Sequence, residues 1–560
     1  MTTRPVTELA TSETVDGEPR APDVGVSTPI RTFLVAVSVY LVTVVAFGLW
    51  MSDRSGGHFT YALDDPYIHL AMADNLAFHG TWGVDPGVYE SASSSPAWTV
   101  LTAAGLIVLP IPDLWVPLVL NVAAGAWIIW QIVRLDPFRR LGPFARWGGL
   151  VALGLPIGII HVTFVGMEHL LHAALALAIV VRAPALFNDA SPRQRRIVLG
   201  LIAAATLVRI ETGFLAVALG AAVVVAAERS TPLLARLRRA APVVAASVVP
   251  VALVAGVNLA FGQYPLPNSV TIKTGLSAPG ALGVVETVFS GETVKTLRDL
   301  VKAPEVTILL VAIVVLLALG RRSRWTWWHA TGLAVLATAG LTVLFGDLGW
   351  FGRYNVWLVG AAYGVLLPLA ADPPRTKPVT RPRIVVVGVL AAVLLASLSN
   401  VYRASSLAIT SSEIYRQHRQ TARFLADNYA GEAVAVNDLG YVAWQHDGHE
   451  LDLWGLASIE VVRAVRDQRF GPGFMAHLVA RHDVRVVVIY AESFEQDRGG
   501  VPGEWTAVER WCLDGGPMRA VGRRCITWYG PTPADAEVLR RHLAEDRDLL
   551  PDGVTTEPPA

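Results

Sequence analysis

The sequence places two adjacent carboxylates, Asp64 and Asp65, directly before a proline and a short helical pattern. Either aspartate fits the N-cap of a helix, and Pro66 fits the first helical position, where no N–H group is needed. Ile68 and Met72 then recur with helical spacing in a segment too polar to cross a bilayer. We therefore expect a helix that lies along a membrane surface. Its two carboxylates can take a proton from a hydroxyl group or bind a divalent metal ion, while the simpler interpretation is capping alone.

Other charged and polar residues stand between long apolar blocks. In chain order they are Glu90, Glu168, His169, Arg209, Glu211, Asn268, Lys273, Arg353 and Tyr354. Taken one at a time, a glutamate in such a place can cap a helix, and an arginine can reach a lipid headgroup. Taken together, carboxylates and cations at the ends of apolar blocks indicate a polar site at one face of a membrane.

Composition identifies the chain as a polytopic membrane protein. Of its 560 residues, 53% are hydrophobic and 16% are charged, and the mean hydropathy is +0.46. The apolar residues form blocks of roughly 15–20, the length that a helix needs to cross ~30 Å of hydrocarbon. We expect the lipid bilayer, and no nucleic acid, among its partners. Residues 1–30 are expected to be a disordered cytoplasmic tail, and the span at 33–50 a retained anchor, because it lacks a cleavage site of small residues.

Basic residues predict the orientation of the spans. The positive-inside rule places five basic connections in the cytoplasm: Arg134/Arg139/Arg140/Arg146, Arg182/Arg193/Arg195/Arg196, Arg229/Arg236/Arg238/Arg239, Arg321/Arg322/Arg324 and Arg375/Lys377/Arg381/Arg383. This arrangement predicts eleven spans, near 33–50, 114–134, 147–164, 169–183, 197–208, 213–228, 242–260, 305–320, 328–345, 355–371 and 384–398. The N-terminus is then cytoplasmic, and the chain beyond the last span is extracytoplasmic.

One further apolar segment, residues 97–112, is not counted as a span. It is short, and Pro96, Pro110 and Pro112 bound it. Counting it as a crossing would place every later basic cluster outside the cell. We therefore predict a dipping or interfacial segment within a first external loop of residues 51–113.

The character of the sequence changes after about residue 405. Charge density rises, and short apolar runs at 433–437 and 484–490 have the pattern of buried strands between helices. The sequence predicts an extracytoplasmic α/β domain over 405–545 and a disordered tail over 546–560. Its two cysteines, Cys512 and Cys525, form an even pair in an oxidising compartment. That favours a disulfide, with two unpaired buried thiols as the alternative.

These motifs together resemble the GT-C class of integral-membrane glycosyltransferases. The resemblance rests on the Asp64–Asp65 pair before a helix, Trp-Gly at 82–83, Ser-Pro-Ala-Trp at 95–98, Gly-Met-Glu at 166–168, Arg-Ile-Glu at 209–211, and Pro-Asn-Ser at 267–269 with Lys273. Within that class the chain is similar to the arabinofuranosyltransferases of bacterial cell-envelope arabinan. The similarity covers most of residues 33–400, and we assign 31–400 to a GT-C-like transmembrane domain with about 11 helices. Over 405–560 it extends only to the presence of an external α/β domain.

The resemblance implies a glycosyltransferase at the outer side of the cell membrane. Its donor would be a polyprenyl-phosphate sugar, and its acceptor a cell-envelope glycan, a lipid or a protein. The catalytic aspartate of such enzymes maps onto Asp64 or Asp65. We expect Asp64 to take the proton of the acceptor hydroxyl group, and Asp65 to orient the acceptor or, with Asp64, to bind a divalent metal ion. Attack opposite the leaving group implies inversion at the anomeric carbon.

The remaining polar residues are expected to bind the substrates. Cations near the membrane surface assist the departure of the lipid phosphate, a role expected of Lys273, Arg353 and Arg209. Glu168 and Glu211 are expected to shape a sugar pocket. The rest of the expected substrate-binding set is Glu90, His169, Asn268 and Tyr354.

Two other classes of protein share some of these features. A transporter or lipid flippase also has many spans and buried charges, but its charges should lie near the membrane midplane between inverted repeats. The sequence shows no such repeat. An anchor for an external binding domain needs fewer spans and leaves the carboxylates of the first loop without a task.

Overall fold

The structure, a computed structural model, combines a helical N-terminal part with a C-terminal part built on a six-stranded sheet. It describes residues 28–138, 142–187, 191–228, 230–273, 301–319, 327–346, 348–371 and 382–559. The helices of the N-terminal part are α1 (Thr28–Arg54), α2 (Asp65–Asp74), α3 (Pro96–Val108), α4 (Val116–Leu135), α5 (Pro143–Ala152), α6 (Gly154–Ile157), α7 (Ile159–Thr163), α8 (His169–Arg182), α9 (Pro184–Phe187), α10 (Pro192–Val208), α11 (Thr212–Ala226), α12 (Leu233–Ala260), α13 (Asn268–Lys273), α14 (Pro304–Leu319), α15 (Trp327–Phe345), α16 (Val356–Ala371) and α17 (Pro382–Ser405).

The segments predicted to span the membrane lie on these helices. The segment at 147–164 is divided among α5, α6 and α7, and Gly158 separates the last two with a left-handed φ of 66°. By length and composition, five helical runs are able to cross a membrane: Pro29–Arg54, Asp113–Leu135, Leu233–Ala260, Trp327–Phe345 and Ala391–Asn428. Shorter apolar helices are Pro96–Val108, His169–Arg182, Thr212–Ala226, Pro304–Ala318 and Val356–Ala370. The N-terminal part therefore has the helices of a multi-pass membrane protein. Residues 1–27 and the basic clusters at 321–324 and 375–381 lie outside the described residues.

The apolar segment at 97–112 forms the short helix α3. At 1.5 Å per residue its 13 residues extend about 20 Å, less than the ~30 Å of a hydrocarbon layer. The helix packs against α2, α4 and α10. That this segment does not span stays a prediction, since α8 and α11, counted as spans, have only 14 and 15 residues.

Helix α2 is buried between two other helices. All its residues from Pro66 to Ala73 are buried, because α2 packs between α3 and helix α20 (Gly440–Gln445) of the C-terminal part. The ring of Tyr67 lies 4.0 Å from that of Tyr441 in α20. A distant part of the chain therefore covers this helix, and its predicted position along the membrane surface stays a prediction.

The C-terminal part is the predicted α/β domain. Its further helices are α18 (Leu407–Ile414), α19 (Gln420–Asn428), α21 (Ile459–Arg466), α22 (Pro472–Arg481), α23 (Ala491–Asp497) and α24 (Pro533–Glu545). Its strands are β1 (Val434–Val436), β2 (Glu450–Asp452), β3 (Val486–Ile489), β4 (Thr506–Leu513), β5 (Cys525–Gly530) and β6 (Val554–Glu557), in the order β2-β1-β3-β5-β4-β6. Strands β2, β1 and β3 are parallel, and the other pairs are antiparallel. Every residue of β1 and β3 is buried, as their continuous apolar sequences predict.

Two features of the end of the chain concern earlier predictions. Cys512 and Cys525 face each other across the β4–β5 pair and form the predicted disulfide. The tail predicted over 546–560 is not disordered between 554 and 557, where β6 pairs with β4. This strand is short and mostly polar, with Thr555 and Thr556 after Val554, so the local sequence gives little indication of a strand.

Candidate active site

Helix ends bring charged side chains together at one place in the helical part. Glu168 directly precedes α8, Arg209 follows α10, and Glu211 precedes α11. Arg209 Nη1 donates to Glu168 Oε1 at 2.7 Å, and its Nε atom lies 3.1 and 3.2 Å from the two oxygens of Glu211. Glu168 is fully buried. The predicted motifs around 168 and 209–211 therefore form one ion-pair cluster.

Arg353 joins this cluster to the first loop. Its side chain is 2% exposed, and Nη2 donates to Asp65 Oδ1 and to the Tyr354 hydroxyl group, each at 3.0 Å. The guanidinium carbons of Arg353 and Arg209 lie 4.9 and 5.4 Å from the centre of the Tyr354 ring. Because an aromatic face attracts cations, Tyr354 holds the two guanidinium groups near one another. The structure thus brings Asp65, Arg209, Arg353 and Tyr354 together.

Several polar atoms of this cluster are buried without a hydrogen-bond partner among the described residues. They are Glu168 Oε2, His169 Nε2 and Arg353 Nε. Two imidazoles lie near the glutamate: His69 Nε2 is 3.9 Å from Glu168 Oε2, and His169 Nε2 is 3.9 Å from Glu168 Oε1. Since buried polar groups are nearly always paired in folded proteins, these atoms are available to a polar ligand.

Asp64 points away from this cluster and toward the C-terminal domain. Its side chain makes no hydrogen bond to its own helix. Instead, Oδ2 accepts the backbone N–H of Gly440 at 2.7 Å, and Oδ1 accepts that of Tyr441 at 3.0 Å. Both N–H groups belong to the start of α20, where the helix dipole favours a negative charge. A Cβ atom at position 440 would lie 2.5 Å from Asp64 Oδ2, so a glycine is required for this approach.

His418 of the C-terminal domain completes the surroundings of Asp64. It lies on a π turn at Tyr415–Arg419, beyond α17, with Nδ1 3.0 Å from Asp64 Oδ1 and Nε2 3.5 Å from Asp438 Oδ2. Burial alone would lower the pKa of His418, but the carboxylates of Asp64, Asp438 and Asp65 outweigh it and raise the pKa to about 9. The imidazole therefore carries a positive charge at neutral pH.

The sequence analysis did not identify His418, Asp438 or Gly440 as site residues. A usable signal was present, because Asn-Asp-Leu-Gly at 437–440 follows the apolar run that becomes β1. Loops at the carboxyl ends of parallel strands are the usual ligand sites of open α/β sheets. This loop meets Asp64 because the C-terminal domain packs onto the first loop.

The surroundings of Asp64 and Asp65 do not fit a metal ion. Asp64 is held by two N–H groups and a charged imidazole, and Asp65 by the guanidinium group of Arg353. A divalent cation needs several oxygen ligands and is repelled by such donors. We therefore assign no step to a metal.

Three expected substrate-binding residues lie outside this cluster or cannot be assigned to it. Glu90 is buried, and its Oε2 accepts the backbone N–H groups of Val84 and Asp85 at 2.8 and 3.3 Å, so it shapes the first loop. Asn268 donates to the carbonyl oxygen of Ala457 at 2.9 Å and ties α13 to the C-terminal domain. Lys273 ends α13, and its side chain lies outside the described residues.

One family model matches part of the chain. Residues 409–529 match a domain of unknown function, DUF8728. This stretch contains His418, Asp438 and Gly440. No curated protein matches the chain.

Among solved structures, the chain is similar in fold to three proteins. ArnT from Cupriavidus metallidurans in the apo state is 13% identical, with a TM-score of 0.49 over 91% of this chain and 99% of that one. The Archaeoglobus fulgidus oligosaccharyltransferase in complex with Zn and sulfate is 14% identical, with a TM-score of 0.48 over 90% and 73%. The arabinofuranosyltransferase AftD from Mycobacteria, in its R1389S mutant, is 14% identical, with a TM-score of 0.41 over 90% and 41%.

Proposed function

We propose that the protein is a membrane glycosyltransferase that moves a sugar from a polyprenyl-phosphate donor to an acceptor outside the membrane. The observation that carries the proposal is the meeting of Asp65, Glu168, Arg209 and Arg353, next to Asp64. These four residues come from the first loop and from the ends of α8, α10 and α16, and the adjacent Asp64 carboxylate contacts the C-terminal domain. Their positions at helix ends favour an enzyme at the membrane surface over a transporter with charges at the midplane.

In the proposed reaction an acceptor hydroxyl oxygen attacks the anomeric carbon of the donor sugar. The new carbon–oxygen bond forms as the bond to the phosphate oxygen breaks, and the polyprenyl phosphate leaves with the bonding electrons. The hydroxyl proton passes to Asp64, the first candidate for the base. A carboxylate has about four acceptor positions, two backbone N–H groups occupy two of those on Asp64, and the charged His418 imidazole lies 3.0 Å from Oδ1. This leaves an acceptor position for the proton, and attack from the side opposite the phosphate inverts the anomeric carbon.

The two buried guanidinium groups suit the leaving phosphate. Arginine presents several N–H donors in a plane and pairs well with phosphate oxygens. Arg353 has one buried N–H that is unpaired among the described residues, and Arg209 lies across the Tyr354 ring from it. Lys273 stays a third candidate from the sequence.

An apolar groove beside the cluster suits the lipid chain of the donor. It is lined by Ser94, Pro96, Thr206, Leu207, Ile210, Pro250, Val251, Val254, Pro265, Leu266 and Pro267. Ile210 stands between Arg209 and Glu211 in sequence, so the groove reaches the charged cluster. A lipid phosphate bound with its chain in this groove would place its phosphate near Arg209.

We include the predicted topology in the proposal. It has eleven crossings, with the N-terminus in the cytoplasm and the C-terminal domain outside, so that the cluster and α20 meet at the outer face. The domain limits of 31–400 and 405–545 belong to the same proposal, with the C-terminal limit extended to β6.

Transfer of labelled sugar tests the function directly. The purified protein in liposomes is incubated with a panel of labelled polyprenyl-phosphate sugars and a cell-envelope extract as acceptor. We expect one label to move from the lipid to the acceptor fraction through a new glycosidic bond, and Glu168→Gln to abolish this while Glu228→Gln, at an exposed site, does not. Movement of intact donor across the bilayer without a new bond would instead identify a flippase.

A further inference from the structure

A chain of four titratable side chains joins the first loop to the C-terminal domain. Oδ2 of Asp85, in the first loop, accepts a hydrogen bond from His449 Nδ1. His449 Nε2 lies 2.9 Å from His482 Nδ1, and the two rings stack with their centres 4.9 Å apart. At the far end, His482 Nε2 lies 3.2 Å from Glu460 Oε2. The chain therefore runs from one carboxylate through two imidazoles to a second carboxylate.

This chain lies at the edge of the six-stranded sheet. Asp85 is buried, and its Oδ1 also accepts the backbone N–H of Glu450, the first residue of the edge strand β2, at 3.2 Å. His449 directly precedes β2, and His482 directly follows α22. The first loop thus holds the C-terminal domain at β2 as well as at α20, where Asp64 contacts it.

Only one hydrogen atom fits between the two imidazole rings. A neutral imidazole has one N–H group, and a charged imidazole has two. The hydrogen bond to Asp85 raises the pKa of His449, so this ring is the first of the two to take up a proton. His449 then donates from Nε2 to His482 Nδ1, and the Nε2–H of His482 points to Glu460. A further proton on His482 Nδ1 would set two N–H groups and two positive charges against each other.

We propose that this chain holds the C-terminal domain on the first loop and loosens it in acid, when the second imidazole takes up a proton. The docked domain supplies Asp64 with two N–H groups of α20 and with the imidazole of His418. Asp85, His449 and His482 are thus positioning residues, since they act on Asp64 through the placement of the domain. The contact itself does not depend on the proposed function, which only gives Asp64 its role as the base.

Solvent protons reach the pair of imidazoles. Both rings line an open cleft of the C-terminal domain, and the side chains of His449 and His482 are 38% and 28% exposed. Arg481 Nη2 lies 3.2 Å from His482 Nε2, so its positive charge adds to the cost of a second proton. The other titratable or charged groups around the pair are Glu90, Glu450 and Asp452 on the side of Asp85, and Tyr429, Glu432, Asp483, Arg485 and Asp535 in the cleft.

Three of these groups respond to acid in the opposite direction. Burial raises the pKa values of Glu90, Glu450 and Asp452, so the folded protein binds their protons more tightly than the unfolded chain does. Their protonation therefore stabilises the fold as the pH falls, whereas a second proton on the imidazole pair weakens the contact. A test of the pair must compare variants that differ at a histidine alone.

Hydrogen exchange at the start of α20 tests the proposal. The full-length protein in nanodiscs is exchanged at about pH 7.5 and at about pH 5, since histidines ordinarily change charge within this range. Protection factors, which correct for the intrinsic effect of pH on exchange, are measured for the amides of Gly440 and Tyr441. We expect the protection of both amides to be about fivefold lower or more in acid, the effect of one lost hydrogen bond.

His482→Asn distinguishes a contact that titrates from one that is only structural. The asparagine keeps an oxygen acceptor near the position of Nδ1 but binds no proton in this range, so protection should match the wild type at the higher pH and stay there in acid. Asp85→Asn should lower protection at both pH values, because it removes the carboxylate that holds His449. His477→Asn, at an exposed histidine of α22, is the control and should lose protection in acid as the wild type does.

Equal protection of the wild type at both pH values would overturn the proposal. An equal loss of protection in His482→Asn would do the same, since the titration would then belong to another group. Unchanged protection in Asp85→Asn would show that this chain does not hold the domain. Thermal unfolding at the higher pH shows that each variant is folded. The measurement needs no sugar substrate, so its outcome is separate from that of the transfer assay.

Discussion

Replacing Asp64 with asparagine separates a chemical role from a structural one. Asparagine caps helices about as well as aspartate, but Asp64 does not cap its own helix. Its oxygens accept the N–H groups of Gly440 and Tyr441 and lie beside His418. An asparagine keeps one oxygen and turns an NH₂ group toward one of these donors. One backbone N–H is then left unsatisfied, at a cost of about 1–3 kcal/mol to the docking of the C-terminal domain.

The loss of the base should have the larger effect on the reaction. Removal of a general base typically lowers a rate by ~10²–10⁴-fold. At 1.36 kcal/mol for each factor of ten, this corresponds to roughly 3–5 kcal/mol in the barrier. Binding of the donor should change little, because Arg209 and Arg353 are on the other side of the first loop. We expect Asp64→Asn to show a moderate loss of thermal stability, near-normal donor binding and little transfer.

The assay compares three readouts in the same preparation: transfer of label from the donor, donor Kd and thermal unfolding. Asp113→Asn is the matched control, since Asp113 is an exposed carboxylate of the same external loop. It should behave as the wild type. Transfer by Asp64→Asn within a few-fold of the wild-type rate would refute the assignment of the base and move that role to Asp65. A similar loss of transfer in Asp113→Asn would show that loop distortion, and not proton transfer, is responsible.

Four further predictions follow from the same geometry. Arg353→Met should raise the donor KM about tenfold or more in the transfer assay, because a hydrogen bond to a charged group is lost; an unchanged KM would exclude a phosphate contact. Serine at both Cys512 and Cys525 should lower the unfolding free energy of the domain by about 3 kcal/mol in denaturant titrations, and alkylation of the native, unreduced protein should leave its mass unchanged. Burial and the neighbouring Asp85 raise the pKa of Glu90 from 4.5 to about 7, so the folded protein binds this proton more tightly than the unfolded chain. Thermal stability should therefore fall as the pH rises from 4.5 to about 7, and Glu90→Gln should make it less dependent on pH in this range. Gly142→Cys should react with a membrane-impermeant thiol reagent only after the cells are permeabilised. Reaction in intact cells would place residue 142 outside and contradict the predicted orientation.

The elements themselves were predictable because they depend on local patterns. Apolar blocks of sufficient length become helices in any membrane protein, since no unpaired backbone group is tolerated in hydrocarbon. The runs at 433–437 and 484–490 became buried strands, and the even cysteine pair became a disulfide. Residue type also identified Glu168, Arg209 and Arg353, because a charge at the end of an apolar helix needs a partner.

Partners and exposure depended on contacts between distant parts of the chain. Asp64 was predicted from the sequence as the base, but its contacts to Gly440 and His418 join residues more than 350 positions apart, and no local pattern encodes such a contact. Helix α2 has the sequence of a half-exposed helix, but it is buried between α3 and helix α20 of the docked C-terminal domain. Glu90 was assigned to substrate binding by its residue type, yet its carboxylate accepts a hydrogen bond from the backbone N–H of Val84. The sequence by itself determined which segments are helices and strands and which residues carry charge, because hydropathy and periodicity act over short distances. Only the tertiary structure decided which charges meet, since that depends on how the C-terminal domain packs onto the first loop.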